Sequence, residues 1–219
     1  MATLAELLDQ LSPNKYRDLA LSSAKELLSS PLKVANPSRL DEASQTYLYA
    51  VLAKYQDASF APTAQTLLVS AEGHIDRGAL NYLTAMLKEQ SVPALYQAYK
   101  DSRVTNQFEK ARVLSSAMNY VGANQTANDM FKEIVGNESA GQGRFFVIGQ
   151  LDNGNLSPQV IQARIPLLQS IKPAIQDERV QAFVDRTIQN LQNKLNPENA
   201  ATGGDGRRGN RRGPPGRGL

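Results

Sequence analysis

His74 is the only imidazole in the chain, and there is no cysteine. One histidine cannot build a multi-histidine metal centre, and a catalytic triad would need it beside both a serine and an acid. The run Glu72-Gly73-His74-Ile75-Asp76 reads instead as a loop between helices. Gly141-Gln142-Gly143-Arg144 suggests an anion-binding turn opening a helix, but Phe146 stands where a dinucleotide fingerprint needs its third glycine. A loop leading into a helix is the better reading. The paired acids Asp41-Glu42 and Asp177-Glu178 fall in first helical turns, where negative charge offsets the positive end of the helix dipole. Tyr47, Tyr49, Tyr55, Tyr82, Tyr96, Tyr99 and Tyr120 could stack on bases if exposed beside arginines, but their helical spacing assigns most of them to core or groove. No residue set specifies catalysis, a metal or a cofactor, and the expectation is a non-enzymatic protein.

The strongest chemical signal is at the C-terminus. Arg207, Arg208, Arg211, Arg212 and Arg217 are set among glycines and prolines with almost nothing apolar between them. Such a segment cannot offset its ordering entropy by burial, so disorder is expected over 197–219. Arginine supplies forked phosphate contacts and planar stacking, and glycine keeps the backbone adaptable. These five arginines are the candidate nucleic-acid-binding residues, for weak, sequence-independent contact with RNA or another polyanion. The whole chain has 24 Lys+Arg and 21 Asp+Glu; residues 201–219 take five and one, leaving 19 and 20 for residues 1–200. The body is thus near neutral, and the pI of 9.1 belongs to the tail.

The elements that would carry these groups read as successive helices, giving an all-α fold over residues 1–196. Ser12-Pro13 and Ser157-Pro158 are cap-plus-proline starts, and Asn36-Pro37, Gly122, Gly136 and Asn196-Pro197 are stops. Helices are expected near 62–71, stopping at Gly73, and around Leu80, Leu83 and Leu87. Another starts near Pro93, and another runs from about Gly143 to Leu151. Phe108, Ala111, Val113, Leu114, Ala117, Met118 and Val121 read as one apolar face, and Asn124 as the cap of the helix that follows. Pro166 is expected to kink or end its helix, and the last helix is expected from Pro173 to Leu195. Phe145-Phe146-Val147-Ile148 is the one stretch that could be a strand, and its neighbours favour helix.

Helix starts recur every 15–20 residues, for a helix-pair period of about 35–40, within the range of HEAT- and TPR-like arrays. No residue signature repeats at that period, so an irregular bundle remains the alternative. Leu95-Tyr96-Gln97-Ala98-Tyr99-Lys100 followed by Phe108-Glu109-Lys110-Ala111-Arg112-Val113-Leu114-Ser115-Ser116-Ala117 resembles the helix pairs of HEAT-like repeats. It is similar in particular to those of the C-terminal helical domain of M1-type aminopeptidases. The resemblance covers roughly residues 60–150 and implies the helical-repeat architecture alone. The family's zinc-binding His-Glu-x-x-His and its Gly-Ala-Met-Glu-Asn segment are absent, so no peptidase activity follows.

The expected function is a cytoplasmic scaffold that docks one or more protein partners on its helices and touches RNA or another polyanion through its tail. No membrane contact is expected, because Met1 to Leu11 is not a signal sequence and no apolar run is long enough to span. Alternatives are a viral nucleocapsid-type RNA-packaging protein, with a self-assembling body and a charge-neutralising arm, and an accessory subunit of an enzyme complex.

Overall fold

The computed structural model describes residues 15–29 and 39–196, the side chains of 39–43 excepted. The helices are α1 (Arg17–Ser29), α2 (Arg39–Lys54), α3 (Ala61–Leu67), α4 (Arg77–Leu87) and α5 (Val92–Lys100), then α6 (Gln107–Met118), α7 (Gln125–Gly136), α8 (Gln142–Gln150), α9 (Pro158–Ile171) and α10 (Glu178–Leu195). Short 3₁₀ turns join several of them. Among the described residues there is no strand, only an isolated bridge between Val69 and Ile75.

Several helices start where a side chain can accept from their free N–H groups. Asp76 accepts from Ala79 N (2.9 Å), Asn106 from Phe108 N (2.8 Å), Asn124 from Ala127 N (3.0 Å) and Asp177 from Arg179 N (2.9 Å). The helices pack as successive pairs: α1 on α2, α3 on α4, α5 on α6, α7 on α8, and α9 on α10. In the C-terminal half, α5, α7 and α9 neighbour one another in one layer, and α6, α8 and α10 in the other. The first helices of these pairs begin at 92, 125 and 158, 33 residues apart each time. This is packing by helix pairs in the manner of a helical repeat, on a period slightly shorter than the sequence pattern suggests. One apolar core runs from Ala24 to Leu191.

Bonds between neighbouring units follow the same spacing. Lys25 Nζ donates to Ser59 Oγ (2.8 Å), Ile75 N donates to Glu109 Oε2 (3.4 Å), and Arg103 Nη1 donates to the Ser70 carbonyl (3.3 Å). The tightest approach is glycine-dependent. A Cβ on Gly78 would lie 2.5 Å from the Tyr49 ring and 3.1 Å from Thr46 Cα, so only hydrogen lets α4 seat against α2.

Two arginines among the described residues lie inside. Arg164, 2% exposed, stands in the apolar stripe of α9 between Ile161 and Leu168. Its Nε donates to the Val121 carbonyl (2.8 Å), Nη1 to Leu151 (2.5 Å), and Nη2 to Met118 and Asn119 (3.1 Å each). Those carbonyls are the outgoing ends of α6 and α8, the negative poles of their dipoles, so the cation is held without a carboxylate. Burial pushes its pKa down to about 10, which leaves it charged at neutral pH. Arg144, 4% exposed, also donates Nε to a helix-end carbonyl, that of Val135 at the end of α7 (2.9 Å), with the Asp177 carboxylate 4.0 Å away.

Several expected boundaries are corrected. The last helix starts at Glu178, not Pro173: residues 172–174 form a 3₁₀ turn, and Asp177 caps the helix proper. Pro166 does not end α9, which runs through it to Ile171. The carbonyl that loses its donor belongs to solvent-exposed Gln162, where water can replace the bond. The third helix stops at Leu67, because Ser70 and the Val69–Ile75 bridge turn the chain early. Phe145 to Ile148 is helical, within α8.

Candidate functional site

Phe108 is 83% exposed, although its position in a run of apolar residues assigned it to the core. It stands in the first turn of α6, held there by the Asn106 cap. It forms the lip of a groove of about 650 Å³ between α6, α8 and the turn that joins α7 to α8. Ala111 and Leu114 line the α6 side, Tyr99 the end of α5, and Phe146 the α8 side. Asn137, Ser139, Gln107 and Gln142 put amides and a hydroxyl around this apolar floor. Lys110 is the one charged lining residue, its Nζ 5.4 Å from the Tyr99 ring centroid. Burial raises the Tyr99 hydroxyl pKa, so it stays a neutral hydrogen-bonding group through the physiological range. The arrangement can receive a half-apolar surface, with polar contacts at its edge and one cation to meet an acid.

The sequence gives a reason for this exposure that residue type alone hides. Phe108 precedes Ala117 by nine positions, half a turn away on a helix of 3.6 residues per turn. Val113, Ala117 and Val121 face the core, whereas Phe108 and Ala111 curve round to the other side. What reads as one apolar face is therefore two.

A second cleft, about 500 Å³, lies between α3 and α5. Its charged lining residues are Lys100, Asp101 and Arg103, and the arginine is already engaged: Arg103 Nη2 is 2.6 Å from Asp101 Oδ2, and its Nη1 bonds the Ser70 carbonyl. That pairing holds the Asp101 carboxyl down to about 2.

The other sequence candidates are dispersed. His74 is exposed in the turn between α3 and α4, its N–H donating to Ser70 Oγ (3.1 Å). The Gly141–Arg144 turn does open α8, but Arg144 points inward to the Val135 carbonyl and lies 4.0 Å from Asp177, so it faces no external anion. Asp177 caps α10 instead of lying in its first turn, and Glu178 begins the helix, still at the positive end of its dipole. Asp41 and Glu42 lie in α2, with their side chains outside the described residues. Tyr49 and Tyr82 are buried against Phe60, Tyr55, Tyr96, Tyr99 and Tyr120 are half-buried, and Tyr47 is exposed. Arg207, Arg208, Arg211, Arg212 and Arg217 lie outside the described residues. Among the described residues no cluster of His, Asp and Glu is placed to hold a metal ion, and no helix is long and apolar enough to cross a membrane.

No protein-family model, curated protein or solved structure matches the chain. Residues 95–100 and 108–117 lie in α5 and α6, a packed pair, and no comparison supports a likeness of that pair to aminopeptidase helices.

Proposed function

We propose that the chain is a non-enzymatic docking scaffold. Its helical array receives an amphipathic helix of a partner protein in the groove at Phe108, and its arginine-rich tail adds weak, sequence-independent contact with RNA or another polyanion. The observation that carries the reading is the exposure of Phe108 at the edge of a ready-formed apolar groove. A large aromatic left in water beside a cavity of this size is an anchor for a partner, not a packing residue. A helix fits the site through leucine-type residues at i, i+3, i+4 and i+7. With Lys110 the only charge in the lining, the favoured partner carries an acid beside its apolar stripe.

The test uses two synthetic helical peptides with the same leucine stripe, one flanked by glutamates and one by lysines, measured by fluorescence anisotropy. The glutamate peptide binds tighter, and Phe108→Asp abolishes its binding. Equal binding of both peptides, or binding indifferent to Phe108→Asp, overturns the groove assignment. The tail is tested separately with a single-stranded RNA oligonucleotide. Truncation after Asn196 removes binding, and the full-length chain shows a log–log salt slope of up to about −3.5 if all five arginines neutralise phosphates. RNA binding that survives truncation refutes the tail's role and leaves the groove reading standing.

A further inference from the structure

The Phe108 groove and the outside of α1 are complementary surfaces of one chain. Ala24 and Leu28 root α1 on the core at 1% and 9% exposure, while Tyr16, Leu19 and Leu27 are 38%, 66% and 45% exposed. With Ser23, these three fall within about 80° of arc on a helix of 3.6 residues per turn, away from the core-facing side. The stripe has two apolar knobs, Leu19 and Leu27, and a notch between them at Ala20 and Ser23, whose side chains are short. Glu26 is exposed and flanks the stripe beside Leu27.

The groove has an apolar floor, one protruding ring, Phe108, and one charged lining residue, Lys110. Leu19 to Leu27 spans about 12 Å along α1 and Phe108 to Leu114 about 9 Å along α6, so the stripe covers the length of the groove. Seating the two leucines on the floor sets Phe108 in the notch and Glu26 toward Lys110. Lys15, the cation at the Tyr16 end of the stripe, is then about 16 Å away along α1. A groove-to-groove contact would instead place two copies of Lys110 in one interface, with no acid from either lining. Helix α1 does not reach the groove of its own molecule, because it is packed on α2 whereas the groove lies between α6 and α8.

We infer that the outer stripe of α1 seats in the Phe108 groove of a second copy of this chain. The inference rests on the docking role proposed for that groove and names its occupant. Stripe and groove are different surfaces, so the contact is heterologous, and copies join head to tail into a ring or a filament. One helix in one groove falls short of the roughly 1,200 Å² that marks a stable complex, so the assembly is weak and depends on concentration.

Sedimentation velocity on the full-length chain, freed of nucleic acid, tests this between about 5 and 300 µM, the range of a weak interface. The sedimentation coefficient of the unaltered chain rises with concentration. Leu19→Asp blocks the stripe and Phe108→Asp the groove, both at exposed positions, and each variant alone stays monomeric. Mixed in equal amounts they form a dimer and nothing larger, because each supplies the surface the other lacks. Glu26→Lys weakens the assembly about 3–10-fold, and adding Lys110→Glu to the same chain restores it. A chain that is monomeric throughout, self-association of either aspartate variant, a mixture that does not pair, or no recovery in the charge-swapped chain overturns the inference. The glutamate-flanked peptide separates the two readings. If it binds while the chain stays monomeric, only the head-to-tail contact falls; if it does not bind, the groove assignment itself falls.

Discussion

Replacing Arg164 with methionine removes the guanidinium that joins α6, α8 and α9 while nearly conserving side-chain volume. Two effects oppose each other. The wild-type chain bears the desolvation of a buried cation, several kcal/mol, which methionine avoids. Methionine, however, strands the carbonyls that the guanidinium satisfied. Met118 keeps a second donor, the Val121 N–H at 3.2 Å, and Asn119 is exposed to water, so the stranded buried acceptors are those of Val121 and Leu151. At about 1–3 kcal/mol for each unsatisfied buried acceptor, offset in part by the desolvation avoided, a net destabilisation of about 2–3 kcal/mol is expected. In a chain of this size that lowers Tm by roughly 4–12 °C. It also lowers the urea midpoint by about 1 M at unchanged slope. Arg164→Lys falls between, because one ammonium keeps the charge but cannot reach carbonyls on both helix ends. Urea unfolding followed by circular dichroism measures all three proteins. A methionine variant within about 1 kcal/mol of wild type would show that the carbonyls find water or other donors, and the clamp argument would fail.

Gly122 has φ +96°, and a Cβ there would lie 3.0 Å from Arg164 Cγ and 3.3 Å from the Val160 carbonyl. Gly122→Ala is therefore expected to cost about 1–3 kcal/mol, read from the same urea curves. Asp57 pairs with Lys25 at 2.5 Å and accepts from Ser59 N, which holds its carboxyl down to about 2, chiefly through the lysine bond. A depressed carboxyl contributes stability above its unfolded pKa near 4 and loses it as pH falls toward 2. Asp57→Asn should remove about 1–2 kcal/mol of that acid-sensitive stability, after allowance for solvent screening, and flatten the fall in urea midpoint between pH 4 and pH 2. Phe108→Asp should shift stability by no more than about 0.5 kcal/mol, since the ring is already in water. A larger loss in the urea midpoint would mean that Phe108 is a packing residue after all.

Local chemistry was readable from the sequence wherever it is self-contained. Asn124 and Ser157 cap helices as their residue types and the apolar runs behind them indicate, and Gly122 turns the chain after α6. Packing was less readable, because it depends on what lies opposite. Arg164 in an otherwise apolar stripe looks like a surface residue until the carbonyl ends of two other helices are seen to converge on it. The groove is hidden for a related reason: apolar residue type suggests burial, although the angular position of Phe108 about α6 places it half a turn from Ala117. Pro173 mimics the opening of α10 but begins only a 3₁₀ turn, whereas the capping geometry belongs to Asp177.

The bonds at the C-terminal end also set how the molecule bears load. Tension entering through α10 first meets Asn190 and Lys194, which fasten that helix to Asp152, the latter through its carbonyl. Behind them one guanidinium fixes the ends of α6 and α8 to the middle of α9, so these helices yield as a block instead of peeling away singly. Pulled from that terminus, the array should release α10 first and then rupture in a single larger step.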